Sequence, residues 1–345
     1  MSYLTPYEIS FLKDRYFNKS KAVTSVTTWT GRASVSDTNW NDVCWSPELG
    51  IFCAINNSGT TNNVMTSPDG IVWTSRTSST SYGLYGICWS PELGLFCVVT
   101  YNSNIVITSP DGITWTNRTK SFTNTCYSVC WSPELALFVA VGSSTCMTSP
   151  DGTNWTSRTP GANNTWNDVC WSPDLGLFCA VASSGTNNRV MTSPDGITWT
   201  IQNTTGKDNV WNGICWSPEL GIFCAVNSSY VSSSVMTSSD GITWTLRTAI
   251  SDGWNKICWS PELGIFCAVS TSNTREVMTS PDGINWTGRT GSTYNNWQGV
   301  CWSPELGIFC AVAITGTGNR VMTSMQVYPS KALANKFNNY LHNGL

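Results

Sequence analysis

Hydrophobic and polar positions along this chain recur on a fixed period. The stretch CWSPELGIFCAI at residues 44–55 returns with small changes from Cys88, Cys130, Cys170, Cys215, Cys258 and Cys301, at intervals of 40 to 45 residues. Such a period marks stacked supersecondary units, none of which buries its apolar faces alone. In the first unit, Val43-Cys44-Trp45 suits a strand buried on both faces. Ser46-Pro47-Glu48-Leu49-Gly50 then breaks it: Pro47 presets φ for a type I turn, and Gly50 can take the left-handed position that closes a bulged hairpin. Residues 51–55 read as the second strand, Val64-Met65-Thr66 as the third, and residues 72–77, with Trp73 and Arg76, as the fourth. Ser67-Pro68-Asp69-Gly70 is the tight turn between the last two, where the Asp side chain accepts backbone N–H bonds and Gly supplies φ > 0.

Four short antiparallel strands, apolar on both faces, need a neighbour on each side, and a ring of such sheets provides one. The chain ends support closure. The seventh unit runs from Cys301 through Val321-Met322-Thr323 and then lacks both the Ser-Pro-Asp-Gly turn and the Trp strand. Thr28-Trp29-Thr30-Gly31-Arg32 matches that missing strand (compare Thr243-Trp244-Thr245-Leu246-Arg247) and precedes the first repeat. The sequence therefore predicts an all-β, seven-bladed β-propeller with four antiparallel strands per blade. Its last blade is closed by the N-terminal strand, which leaves no exposed sheet edge.

The repeated TSPDGITWT, for example Ser109 to Trp115 and Ser193 to Trp199, resembles the Asp-box (BNR) repeat of sialidase-like propellers, over residues 23 to about 324. One departure stands out: the fuller box has a residue between Asp and Gly, whereas here Asp directly precedes Gly. The resemblance implies a structural role for Asp69, Asp111, Asp151, Asp195, Asp240 and Asp282, and nothing about activity. The near-identical units also resemble recently amplified propellers of giant-virus and bacterial genomes, which suggests a viral structural or host-interaction protein.

Two segments fall outside the ring. Residues 1–22 are expected to form a helical extension, opened by the capping box Thr5-Pro6-Tyr7-Glu8; residues 23–327 are the propeller; residues 328–345 are a short helical tail with Leu333, Phe337, Tyr340 and Leu341 on one face. The helices would cover apolar surface or serve as an attachment device. Charged residues make up only 11% of the chain, about half the usual share. A net charge of -3 gives no basic face for nucleic acid, and no apolar run approaches membrane-spanning length. Glu8, Lys13, Asp14 and Arg15 stand where a signal peptide needs an apolar core. The expected product is a cytoplasmic monomer, in host cytoplasm or virion if viral.

Of 15 cysteines, twelve form six pairs nine residues apart, from Cys44/Cys53 to Cys301/Cys310. A disulfide across the hairpin is conceivable. In the third unit, however, Cys130 faces Val139, so the unit tolerates losing the partner, and packed reduced thiols are the better reading. With no Cys-x-x-Cys and a single His342, no metal and no cofactor are expected.

A sialidase-like site needs three converging arginines, a Tyr nucleophile with a Glu partner, and an acid. Here Arg32, Arg76, Arg118, Arg158, Arg247 and Arg289 share one outer-strand position, with Gln202 in the fourth unit. Glu48, Glu92, Glu134, Glu219, Glu262 and Glu305 share a hairpin position with Asp174. Symmetric sites point outward and cannot converge. Arg189, Arg275 and Arg320 lie on the other rim, accompanied only by Glu276. The expectation is a protein that is not an enzyme.

Binding is the better expectation. Both motif turns lie at one end of the strands, and the variable loops lie at the other, where recognition usually resides. Four residues before the inner-strand Cys stand Trp40, Trp166, Trp211, Trp254 and Trp297, with Leu84 and Cys126 as exceptions. Asn41, Tyr85, Tyr127, Asn167, Asn212, Asn255 and Gln298 follow them. This reads either as a ring of aromatics and amides that stacks on sugars or grips a peptide, or as inter-blade packing. The next position, Asp42, Gly86, Ser128, Asp168, Gly213, Lys256 and Gly299, varies most and should face the channel. Asp42 and Asp168 sit on blades one and four, which separates them as metal ligands. Candidate ligand-binding residues are thus Trp40, Asp42, Trp166, Asp168, Trp211, Trp254, Lys256 and Trp297. The expected function is a non-catalytic scaffold that binds a protein partner through the variable-loop face. A lectin-like glycan binder is the alternative, and an Asp-box glycoside hydrolase comes last.

Overall fold

The computed structural model describes residues 26, 28–272 and 276–326; the expected terminal helices (1–22 and 328–345) and Arg275 lie outside the described residues. The described chain forms seven four-stranded antiparallel sheets. In the first blade these are Trp40–Ser46, Ile51–Asn56, Val64–Ser67 and Thr74–Arg76, hydrogen-bonded in chain order. The inner strands of consecutive blades neighbour one another around an axial channel, and the first blade's meets the seventh's.

Closure occurs as the sequence predicts. Trp29–Arg32 pairs antiparallel with Val321–Ser324, placing Gly31 opposite Met322 and Arg32 opposite Val321. The borrowed strand reproduces the geometry of a continuous blade. Trp29 lies 6.3 Å from Phe309 at 32°, against 6.3 Å and 34° for Trp73 and Phe52. Arg32 Nε donates to Thr323 Oγ1 at 3.0 Å, just as Arg76 Nε donates to Thr66 Oγ1 at 2.9 Å. The outer-strand arginines are thereby occupied within their own blades.

The core lies between blades. One cluster joins Trp40, Phe52 and Met65 of the first blade to Cys310, Val312 and Val321 of the seventh. Every second strand contributes a fully buried Phe against the inner-strand Trp, as in Trp45–Phe52 at 4.6 Å. Each such side chain contributes about 1.5–3 kcal/mol on burial. Cys44 lies opposite Cys53, and Cys130 opposite Val139, as the hairpin register requires. The cysteines are free thiols, and burial pushes both members of the Cys44/Cys53 pair up.

The repeated polar residues stitch the motif-turn end. Trp89 Nε1 donates to Glu48 of the preceding blade at 2.6 Å, and the bond recurs around the ring until Trp45 reaches Glu305. Trp216 donates to Asp174 at 2.9 Å, so the single Asp copy fills the same role from a shorter stem. In each Ser-x-Asp-Gly turn the carboxylate accepts two backbone N–H bonds, for Asp69 from Ile71 and Val72 at 2.8 and 2.9 Å. The Trp73 indole donates to Gly70 O at 3.1 Å, which ties the turn to the fourth strand. Burial opposes ionisation of Asp69, but the bonds it accepts outweigh that and bring its carboxyl below the ordinary 3.8.

Candidate functional site at the channel mouth

In all seven blades the inner strand carries a β-bulge one residue into the strand. Trp40 pairs with Asn56 and Asp42 with Ile55, so Asn41 has no cross-strand partner, and the same slip recurs at the equivalent position of each blade. A bulge turns the strand locally and re-aims its side chains. The preceding tryptophan is driven into the blade interface, and the bulged residue is left at the mouth of the channel.

This corrects the expected rim of tryptophans. Trp40, Trp166, Trp211, Trp254 and Trp297 are each 0% exposed. Four of them donate their indole N–H to a carbonyl four residues earlier: Trp40 to Ser36, Trp166 to Ala162, Trp211 to Lys207 and Trp254 to Ile250. Of the two readings open for these residues, the structure supports inter-blade packing. No indole face is free to stack on a ligand.

The mouth is lined instead by the residues that follow them. Asn41, Asp42, Tyr85, Tyr127, Asn167, Asn212, Asn255, Lys256 and Gln298 enclose a cavity of about 170 Å³. Its amides form a relay from blade to blade. Asn167 Nδ2 donates to Asn212 Oδ1 at 3.0 Å, Asn212 Nδ2 to Asn255 Oδ1 at 2.9 Å, and Asn255 Nδ2 to Gln298 Oε1 at 3.0 Å. Across the first seam, Asn41 Nδ2 donates to Tyr85 O at 2.7 Å. The tyrosines occupy the second and third blades: Tyr85 stacks on Tyr101 at 5.4 Å and meets Tyr127 tilted at 5.8 Å.

One step deeper, three charged residues meet. Lys256 Nζ reaches Asp168 Oδ1 at 2.8 Å, with Asp168 only 3% exposed. Asp168 also accepts from Ser128 Oγ at 2.6 Å and from Ile214 N–H of the next blade at 2.9 Å. Asp42 is 7% exposed and accepts Val43 N–H at 3.0 Å and Ile87 N–H of the next blade at 3.2 Å. The variation at this position has a steric basis. A Cβ on Gly299 would lie 2.8 Å from Asp42 Cα, and one on Gly86 2.8 Å from Ser128 Cα, so these blades admit only glycine there, whereas Ser128 and Asp168 stand side by side on the third and fourth blades and hydrogen-bond.

Lys256, bonded to Asp168, also lies within the field of Asp42 across the ring. Burial disfavours its charge, but Asp168 and then Asp42 outweigh that and push the ammonium pKa up. Burial pushes the Asp42 carboxyl up, Lys256 partly opposes this, and Asp168 adds to it. Among the described residues no group of three or more His, Cys, Asp or Glu is placed to hold a metal ion.

The rim arginines are structural. Arg189 donates to Gly185 O, Ser183 O and Asn209 O at 2.8, 2.9 and 2.8 Å, and Arg320 to Gly316 O, Thr38 O and Ile314 O at 2.9, 2.8 and 2.6 Å. Each staples its own loop to the next blade, and neither points into the mouth cavity. A larger cleft, about 400 Å³, follows the closing strand and is lined by Arg32, Ile71, Leu306 and Met325, but Arg32 there is already bonded to Thr323.

No protein-family model matches this sequence, and no curated protein does. Among solved structures, the fold is similar to that of selenomethionine-substituted virginiamycin B lyase from Staphylococcus aureus. The TM-score is 0.71 at 9% identity, over 87% of this chain and 98% of that one. A catalytically inactive variant of that lyase with quinupristin gives 0.73 at 8% identity, over 86% and 99%. A streptogramin B lyase gives 0.73 at 7% identity, over 86% and 97%. The likeness is one of fold. It overturns the expectation that the chain is not an enzyme: that expectation leaned on a symmetric ring with few asymmetric polar groups, and rings of the same fold are lyases.

Proposed function

We propose that this propeller binds a protein partner through its variable-loop face, with the channel mouth as the centre of contact. The observation that carries the reading is the mouth cavity, about 170 Å³, lined by residues that differ from blade to blade, among them the buried Asp42 and the partly exposed Lys256 that pairs with buried Asp168. The polar groups of the motif-turn end are consumed in seven inter-blade bonds and six turns. Those of the mouth stay partly exposed and differ from blade to blade. The volume is close to the roughly 150 Å³ of a cavity that holds one benzene-sized guest, and below the ~300 Å³ where drug-sized pockets begin. A side-chain tip fits within it. Within this reading the Ser-x-Asp-Gly turns serve as a shortened Asp-box, a folding element of the scaffold.

The test is capture by immobilised wild type, Tyr85→Ala/Asn212→Ala and the motif-turn variant Leu93→Lys, beside a glycan array. A protein retained by wild type and Leu93→Lys but lost with the mouth variant supports the reading. Binding that ignores the mouth substitutions, or that is found for glycans alone, overturns it.

A second reading is chemical. A buried carboxyl pushed up, as Asp42 is, within the field of the Lys256 ammonium is an arrangement from which acid–base catalysis is built, and solved propellers of similar fold are lyases. Chromatographic loss of quinupristin on incubation with the protein, abolished in Asp42→Asn, would establish it. Unchanged quinupristin removes it for that substrate.

A further inference from the structure

We propose that the mouth receives a cation, an alkylammonium such as the tip of a partner's lysine side chain, between Asp42 and the tyrosines of the second and third blades. The proposal rests on the mouth being the binding centre and names the chemistry that would occupy it.

Charge is the first argument. Two buried carboxylates, Asp42 and Asp168, share one ammonium, and that ammonium is committed to Asp168 at 2.8 Å. None of the ion pairs among the described residues includes Asp42. Its two oxygens each accept one backbone N–H, at 3.0 and 3.2 Å, which leaves lone pairs for a further donor. Buried carboxylates are ordinarily matched by a counter-charge, and this one lines a cavity that can admit it.

The second argument is the division of the mouth into sectors. Lys256 fills the side of the fourth and sixth blades. On the other side, Asp42 bonds across the seam to Ile87, two residues beyond Tyr85, and Tyr85 meets Tyr127 at 5.8 Å. A carboxylate and two tyrosines lining one cavity make an environment that favours an organic cation, by charge and, where a ring presents its face, by its quadrupole. Beside Asp42, Asn41 Oδ1 accepts a single bond, from Asn57 at 3.1 Å, and keeps a lone pair for an ammonium proton. An anion would have to displace Asp168 from Lys256 in the presence of Asp42. A neutral guest would leave the excess carboxylate unmatched. Burial pushing Asp42 up fits a carboxylate that lacks a full partner.

The test uses the full chain and three guests of one shape: butylammonium, 1-butanol and butanoate. Binding is followed at neutral pH by the Asn41 side-chain amide resonances and the ring resonances of Tyr85 and Tyr127. Butylammonium is expected to bind about tenfold or more tightly than 1-butanol, with butanoate weakest. In Asp42→Asn its affinity should fall to the level of the alcohol. If that variant does not fold, the ranking of the three guests on wild type decides alone. Equal binding of butylammonium and 1-butanol, or tighter binding of butanoate, overturns the cation while leaving the mouth as binding centre. If no guest moves these resonances, both readings fall once partner capture also ignores the mouth substitutions. If capture does depend on the mouth, only the cation falls.

Discussion

The two ends of the same strands use polar residues in opposite ways. At the motif-turn end, a Trp–carboxylate bond between successive blades recurs seven times and a Ser-x-Asp-Gly network six times, and even Asp174 substitutes for Glu without breaking the circuit. At the loop end, Asp42, Ser128, Asp168 and Lys256 occupy one repeat position without a common pattern: Asp42 accepts only backbone N–H groups, while Ser128 and Lys256 both bond Asp168. Identity by symmetry marks groups whose partners are themselves repeated in every unit. Departure from symmetry marks groups that face the axis, where the side chains of different blades meet one another. The contrast can be broken or sharpened by substitution.

The largest effect is expected at the closure. Trp29→Ala removes a buried aromatic side chain from the one strand that is not continuous with its blade, and should cost about 3–5 kcal/mol in chemical denaturation. Trp155→Ala makes the same local cavity in a continuous blade. A loss of cooperativity in Trp29→Ala but not in Trp155→Ala would locate the weak seam of the ring. Equal behaviour would mean that closure is no weaker than any other blade.

Acid should separate the two ends next. The turn aspartates, such as Asp69 and Asp240, are held below 3.8, so their contribution is complete above that value and is lost as pH falls through their lower folded values. Asp42 has the opposite sign. Raised in the folded state, it costs stability when ionised, and stability should rise as pH falls through its folded value towards 3.8. Urea midpoints across this range should show both limbs, and Asp42→Asn should remove only the upper one. Within the motif-turn end, Glu134→Ala leaves the Trp171 indole without its 2.6 Å acceptor and should cost about 1 kcal/mol. A double-mutant cycle with Trp171→Phe would read the pair.

The ring was legible in the sequence because each unit repeats its own turn chemistry and the missing strand of the seventh unit stands at the chain's beginning. The glutamates and outer arginines were legible as symmetric, although their partners, the Trp indoles and Thr hydroxyls, were not. The mouth was legible in position, with the amides and tyrosines of Asn41 and its counterparts read as part of the rim. What was not legible was that the tryptophans before them are wholly buried, because the bulge that leaves Asn41 without a cross-strand partner has no signature in the residue types. The pairing of Lys256 with Asp168 was not legible, because it spans the channel between blades that no repeat position links.

A smaller gain is expected where the repeat itself errs. Six copies place glycine at the end of the first hairpin, with φ of 63° at Gly50 and 58° at Gly94, while Ala136 adopts φ 46°. A left-handed alanine costs about 1–2 kcal/mol in backbone strain, offset in part by the greater freedom of glycine in the unfolded chain. Ala136→Gly should therefore stabilise the third blade by about 0.5–1 kcal/mol, read as a raised urea midpoint at unchanged slope.

The smallest effect on stability, and the most informative, belongs to the mouth. Asn212 links Asn167 to Asn255, yet it is partly exposed, so water can replace either partner when the amide is removed. Asn212→Ala is expected to stay within about 0.5 kcal/mol of wild type, although it interrupts a relay that spans four blades. A hydrogen-bond circuit this weakly coupled to folding is free to be set by what it contacts, whereas the Trp–carboxylate circuit is not. If Asn212→Ala instead costs as much as Glu134→Ala, the amide ring is a second belt holding the blades together. The difference between the two ends would then be one of chemistry rather than of purpose.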